Sequence, residues 1–131
     1  MIDCENEVYT RVKTEVKATF SDIDSSSEYV NAPASFPHMS VEMTDSYPAD
    51  ATNALSEGMT RCVFTVNVYS NKANGRKAEA KKIMNIINEA FASMNFTRIS
   101  QTPMPNLADN TIYRIVARFS GKTDGEFFYR T

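Results

Sequence analysis

The chain has 131 residues, 42% of them hydrophobic and 23% charged, and a formal net charge of −2. That length predicts one domain (residues 1–131) with one sizeable core, and that composition is ordinary for a globular protein. The slight acidity argues against general nucleic-acid binding, no apolar run approaches the ~18 residues of a membrane span, and MIDCENEV lacks the apolar stretch of a signal peptide.

The first predicted element is a helix over residues 3–20. Cys4, Val8, Val12, Val16 and Phe20 recur every fourth residue and share one stripe. Asp3 is placed to cap it, with Glu5 and Glu7 in the first turn and Lys13 and Lys17 toward the end, as the helix dipole favours. A polar turn (21–27) leads to a short strand expected near 28–31, and Pro33 and Pro37 bracket a bend. Over 38–44, Met39, Val41 and Met43 alternate with Ser40 and Glu42, the pattern of a half-buried strand. Residues 45–58 (DSYPADATNALSEG) read as a long loop.

A central strand is expected over 61–70. Cys62, Phe64, Val66 and Val68 form one face, while Val63 and Tyr69 keep the other partly apolar. After a turn, residues 75–94 form a second helix. Ala80, Ile83, Ile87, Ala90, Phe91 and Met94 fall on its buried face, and Lys81, Lys82, Asn85, Asn88 and Glu89 opposite. Two antiparallel strands follow, 96–102 and 111–120, joined by the loop QTPMPNLADN. The later strand puts Tyr113, Ile115, Ala117 and Phe119 on one face and Arg114, Val116 and Arg118 on the other. The order α-β-β-β-α-β-β predicts an α+β fold in which two helices pack on one face of a mainly antiparallel sheet.

No motif for catalysis, a cofactor or a metal stands out. His38 is the sole histidine and has no diagnostic motif beside it, so a structural role is expected. Asp45, Asp50, Glu57, Asp109 and Asp124 sit in or beside predicted loops, where carboxylates are normally solvated. Four glycines in the whole chain exclude a glycine-rich phosphate cradle. Cys4 and Cys62 lack metal-ligand spacing and are expected as reduced, partly buried thiols. No enzyme activity, cofactor or metal is therefore predicted.

Two features are better suited to binding. Lys72, Arg76, Lys77, Lys81 and Lys82 cluster around the start of the second helix, either as a solvated face or as a cationic patch for an acidic partner surface or passing DNA. The tail 121–131 carries Phe127, Phe128 and Tyr129, which either add a strand to the sheet or dock on a neighbouring subunit.

The blocks IDCENEVYTRVKTEV, RCVFTVNVYSNKANGRKAEAKKIMNIINEAFASM and PMPNLADNTIYRIVARFSG together resemble the tail completion, or tail terminator, proteins of long-tailed bacteriophages, small proteins of the virion neck. The resemblance covers most of the chain. It implies a structural, non-enzymatic protein, assembled in the bacterial cytoplasm, that forms a homo-oligomeric ring, usually of six copies. The ring caps the tail-tube protein and joins the tail to the head connector or stopper, with DNA only as passing cargo and no membrane. A ring needs two unlike surfaces on each copy. The basic second helix (Lys72, Arg76, Lys77) and the acidic 45–58 segment (Asp45, Tyr47, Asp50) are candidates for such a pair. Met104, Phe127, Phe128 and Tyr129 are candidates for apolar contacts. The alternatives are a head-completion (stopper or adaptor) neck protein and a small DNA-binding regulator. All-helical adaptors and barrel-like stoppers fit the element order less well. A regulator fits poorly with the acidic charge and lacks a helix-turn-helix pattern.

Overall fold

The computed structural model describes residues 4–28, 33, 35–48, 59–105, 111–124 and 128–129. Its elements are α1 (Glu5–Lys17), β1 (Asp24–Ser26), β2 (His38–Pro48), β3 (Thr60–Ser70), α2 (Arg76–Ser93), β4 (Thr97–Pro105), β5 (Tyr113–Thr123) and β6 (Phe128–Tyr129). The expected element order is present, with a two-residue strand added at the end. The sheet runs β1-β2-β3-β5-β4, and β6 pairs with β5. β1 lies parallel to β2, and every other pairing is antiparallel.

Both helices bury their apolar stripes on one face of this sheet. Val8, Val12 and Val16 of α1 and Ala80, Ile83, Met84, Ile87 and Phe91 of α2 join Met39, Val41, Phe64, Val66, Val68, Ile115, Ala117 and Phe119 in one core. Burying each large apolar side chain is worth roughly 1.5–3 kcal/mol, which makes this the main stabilising layer. β3 is buried almost throughout because β2 and β5 flank it and the helices cover it. Aromatic rings cluster within the core around Phe64, Phe91, Phe96 and Phe119. Phe91 stacks on Phe119 with centroids 4.2 Å apart, and Phe96 meets Phe64 and Phe91 edge-on. Gly121 makes room for this cluster: a Cβ there would stand 2.5 Å from the Phe96 ring.

Several boundaries differ from those expected. α1 ends at Lys17, and its N-cap is Cys4; Asp3 lies outside the described residues. The Phe20 amide still bonds the Val16 carbonyl at 2.8 Å, and its ring packs against the core from the turn rather than from the helix. The first strand is Asp24–Ser26, not 28–31; Glu28 lies in a bend, and 29–31 are outside the described residues. β2 continues through Pro48, so Asp45 and Tyr47 belong to a strand and not to a loop. A bulge between Met43 and Asp45 resets the alternation there. Residues 49–58, with Asp50, lie outside the described residues. β4 likewise reaches Pro105 past a bulge between Arg98 and Ser100, which places Met104 in a strand. β5 spans Tyr113–Thr123 and so takes in Gly121. Asn88 does not face solvent: it is half-buried and donates to Gln101 Oε1 at 3.0 Å.

Candidate assembly surfaces

The face of the sheet away from the helices is polar. His38, Tyr69 and Arg114 are register partners across β2, β3 and β5, and Asp24 of β1 pairs with His38. His38 is 3% exposed. Its Nδ1 lies 3.0 Å from Asp24 Oδ2, and its Nε2 lies 3.3 Å from Ser26 Oγ. This carboxylate, imidazole and hydroxyl sequence was not legible in the chain, because β1 carries no periodic signal.

Its hydrogen bonds do not suit nucleophilic catalysis. Ser26 donates its single proton to the Glu28 carbonyl at 2.7 Å, so toward Nε2 it can only accept. An activated serine needs the reverse, with its proton given to the base. The trio instead ties β1 to β2, helped by Tyr9 of α1, whose hydroxyl lies 2.8 Å from Ser25 Oγ. Further along, the same face carries Glu42, Thr65 and Arg118 in one cross-sheet row and Tyr47, Arg61 and Lys122 in another.

The basic cluster sits at one end of the strands. Lys72 follows β3, and Arg76 and Lys77 open α2; with Lys81 and Lys82 all five are exposed. The α2 N-cap, Gly75, adopts a left-handed φ of 89° and offers no side-chain cap. Glu79 stands three residues from both Arg76 and Lys82 in α2 and could balance them. Its carboxylate instead accepts a hydrogen bond from Ser70 at 2.7 Å, turned toward the end of β3. A groove lined by Phe20, Lys72, Gly75, Ala78, Glu79 and Lys82 runs beside this end.

Asp45 and Tyr47 sit toward the other end. Tyr47 pairs with Arg61 at the start of β3, whereas Lys72 lies beyond its last residue, Ser70. Some nine residues of strand separate the two levels, roughly 30 Å. Asp45 and Tyr47 are therefore not brought together with the basic cluster within one chain, and Asp50 lies outside the described residues. Met104, 44% exposed, is on β4 at the level of His38, toward the basic end.

The tail residue Phe128 packs on its own chain. β6 pairs with Lys122 and Thr123, the Phe128 ring lies 5.4 Å from Phe96, and Asn95 Nδ2 donates to the Phe128 carbonyl at 2.9 Å. Asn95 holds a positive φ of 64° just after α2, which aims its side chain at this strand. Phe127 lies outside the described residues, as does the side chain of Tyr129.

Cys4 and Cys62 are buried thiols outside any disulfide, with their sulfurs 3.2 Å apart at the start of α1. Among the described residues, no group of three or more His, Cys, Asp or Glu could hold a metal ion. No helix among them is long and apolar enough to cross a membrane.

No protein-family model and no curated protein matches this sequence. Among solved structures, the fold is similar to a chain from the virion of a native gene transfer agent particle, with a TM-score of 0.66. The match covers 88% of this chain and 90% of that one at 14% identity, so what the two share is the arrangement of helices and strands.

Proposed function

We propose that this protein is a structural component of a phage-like virion, and within it a tail terminator: a ring that caps the tail tube and joins it to the head connector. The observation that carries the reading is the fold shared with a chain of a gene transfer agent virion over nearly the full length of both. The resemblance of the α1, β3–α2 and β4–β5 blocks to tail completion proteins supplies the finer assignment.

The mechanism is capping by unlike surfaces, without a chemical step. A subunit completes the contact offered by the last layer of the tube and fails to offer the same contact onward, so growth stops. The ring forms by repeating one heterologous contact until rotation closes it. We assign the exposed basic end of α2 to an acidic surface of an adjoining layer, where opposite charges steer docking. The acidic end of β2 is assigned to the neighbouring copy.

Electron microscopy of particles made without this gene tests the proposal. DNA-filled heads beside detached tails, some overlong, are expected. Empty heads that have lost their DNA would move the protein to head completion. Intact, infectious, normally tailed virions would overturn a neck role altogether.

A further inference from the structure

We propose that copies of this chain join side by side through opposite edges of the sheet. The acidic stretch of β2 with Glu42 and Asp45 on one copy meets the basic, apolar stretch of β4 with Arg98 and Ile99 on the next. This rests on the ring reading above and names the surfaces that close the ring.

Three observations carry it. The first is where exposed apolar groups remain. Among the described residues the exposed large hydrophobics are Tyr47 (43%), Ile99 (53%) and Met104 (44%). All three lie on β2 and β4, the outermost long strands on the two sides of the sheet. Among the described residues, β1 covers β2 only over His38–Ser40, and the remainder of β2 pairs on one side alone. Scattered exposure would need no explanation, but exposure confined to two opposite edges does.

The second is charge. Glu42 and Asp45 lie on the β2 edge, whereas Arg98 lies exposed on the β4 edge, on the helix side of the sheet, with one guanidinium nitrogen donating to Gln101 Oε1 at 3.1 Å. Unlike charges on unlike edges favour a head-to-tail contact and penalise pairing of like edges.

The third is level. Following register partners across the sheet, Glu42 leads through Thr65 and Arg118 to Ser100, and Asp45 leads through Val63 and Ser120 to Thr97. The acidic stretch of one edge therefore stands at the same height as residues 97–100 of the other. Tyr47 leads through Arg61 and Lys122 to Tyr129 of β6. Within one chain β3 and β5 hold these edges apart by three strand spacings, about 14 Å. Only a second copy can bring them together. Because the edges are level, each added copy climbs little along the strands, as closure into a ring requires.

The contact is made by side chains and not by adding a strand. The Met43 amide already donates to the Glu5 carboxylate at 2.8 Å, and the Ser46 amide donates to Asp45 Oδ1 at 2.9 Å. These carboxylates blunt the β2 edge against indiscriminate pairing. Asp45, exposed on that edge, also keeps acceptor capacity for an arginine of the neighbour.

The test is disulfide trapping in assembled particles. Thr44→Cys and Ser100→Cys place one thiol on each edge, leave Glu42, Asp45, Arg98 and Ile99 in place, and sit on exposed positions. After mild oxidation, the double variant is expected to give a ladder of covalent multimers that ends at the ring number, while each single variant stays monomeric. Dimers from a single variant would mean that like edges meet, and would overturn the proposal. So would an uncross-linked double variant present in normal copy number in a ring, a result that leaves the ring reading standing. Absence of the protein from particles would overturn the ring reading itself and this contact with it.

Discussion

On the helix-covered face of the sheet, the row Met39, Val68, Ile115 is apolar in every member; one residue along, on the opposite face, the row His38, Tyr69, Arg114 is polar or aromatic in every member. The same contrast repeats between Val41, Val66, Ala117 and Glu42, Thr65, Arg118. The two faces share strands, backbone hydrogen bonds and register. They differ only in what covers them. Two helices dehydrate one face, so it must be apolar, while the other keeps polar and charged side chains, some of them satisfied within the chain, as Arg114 is by Asn67 and His38 by Asp24. Stability and recognition are thus divided between alternate residues of the same strands, and substitutions should separate them.

The largest loss of stability is expected from the covered face. Phe64 is fully buried and touches the rings of Phe91 and Phe96. Phe64→Ala should cost about 3–5 kcal/mol, since the core cannot collapse around so large a void. Chemical denaturation measures this, and a loss below about 1 kcal/mol would contradict the packing described. Gly121→Ala acts on the same cluster from the other side. Its added Cβ must push the Phe96 ring, which Phe64, Phe91 and Phe128 surround. Overpacking of about 1–3 kcal/mol is expected. Adding Phe96→Leu should recover part of it; additive losses would show that the two positions do not touch.

A smaller effect is expected on the open face. His38→Ala removes the link from β2 to Asp24 and Ser26 and a ring contact with Tyr69. The loss should be about 1–2 kcal/mol, the usual scale for deleting a buried hydrogen-bonding group. It should be local. Amide exchange at Ser25 and Ser26 should speed up while β3 stays protected, and uniform acceleration across the sheet would disprove the latch.

The two faces also differ in how far the sequence reveals them. The α1 stripe, the continuous apolar run of β3 and the 3.6-residue period of α2 are local signals, and each marks a real element. The missed strands depend on information that is not local. β1 has three residues without periodicity and is held by His38 and Tyr9, distant in sequence. β2 is cut short in that reading where a bulge interrupts the two-residue alternation, and β4 is cut short at Thr102, before Pro103. Pro48, Pro103 and Pro105 then read as loop, although an edge strand tolerates a missing amide donor. The candidate surfaces suffer the same limit. The cations of α2 are visible as a cluster in the chain, but Arg98, Ile99 and Glu42 acquire meaning only once the strand order makes β2 and β4 opposite edges.

The smallest change in stability is expected at the basic end of α2, where the effect on assembly should be large. Arg76 and Lys77 occupy the first turn, beside the positive end of the helix dipole and near three further cations. For folding alone their charge is misplaced. Arg76→Glu with Lys77→Glu should therefore leave the fold unchanged or slightly stabilised, by a few tenths of a kcal/mol after solvent screening. If the basic end docks an acidic layer, the same variant should join tails to heads poorly, and the deficit should shrink when salt already screens the wild-type contact. Opposite signs for folding and joining would mean that these charges are kept for a partner at the expense of the helix. Normal joining by a stably folded variant would return the cluster to an ordinary solvated face and leave the edges of the sheet to carry assembly.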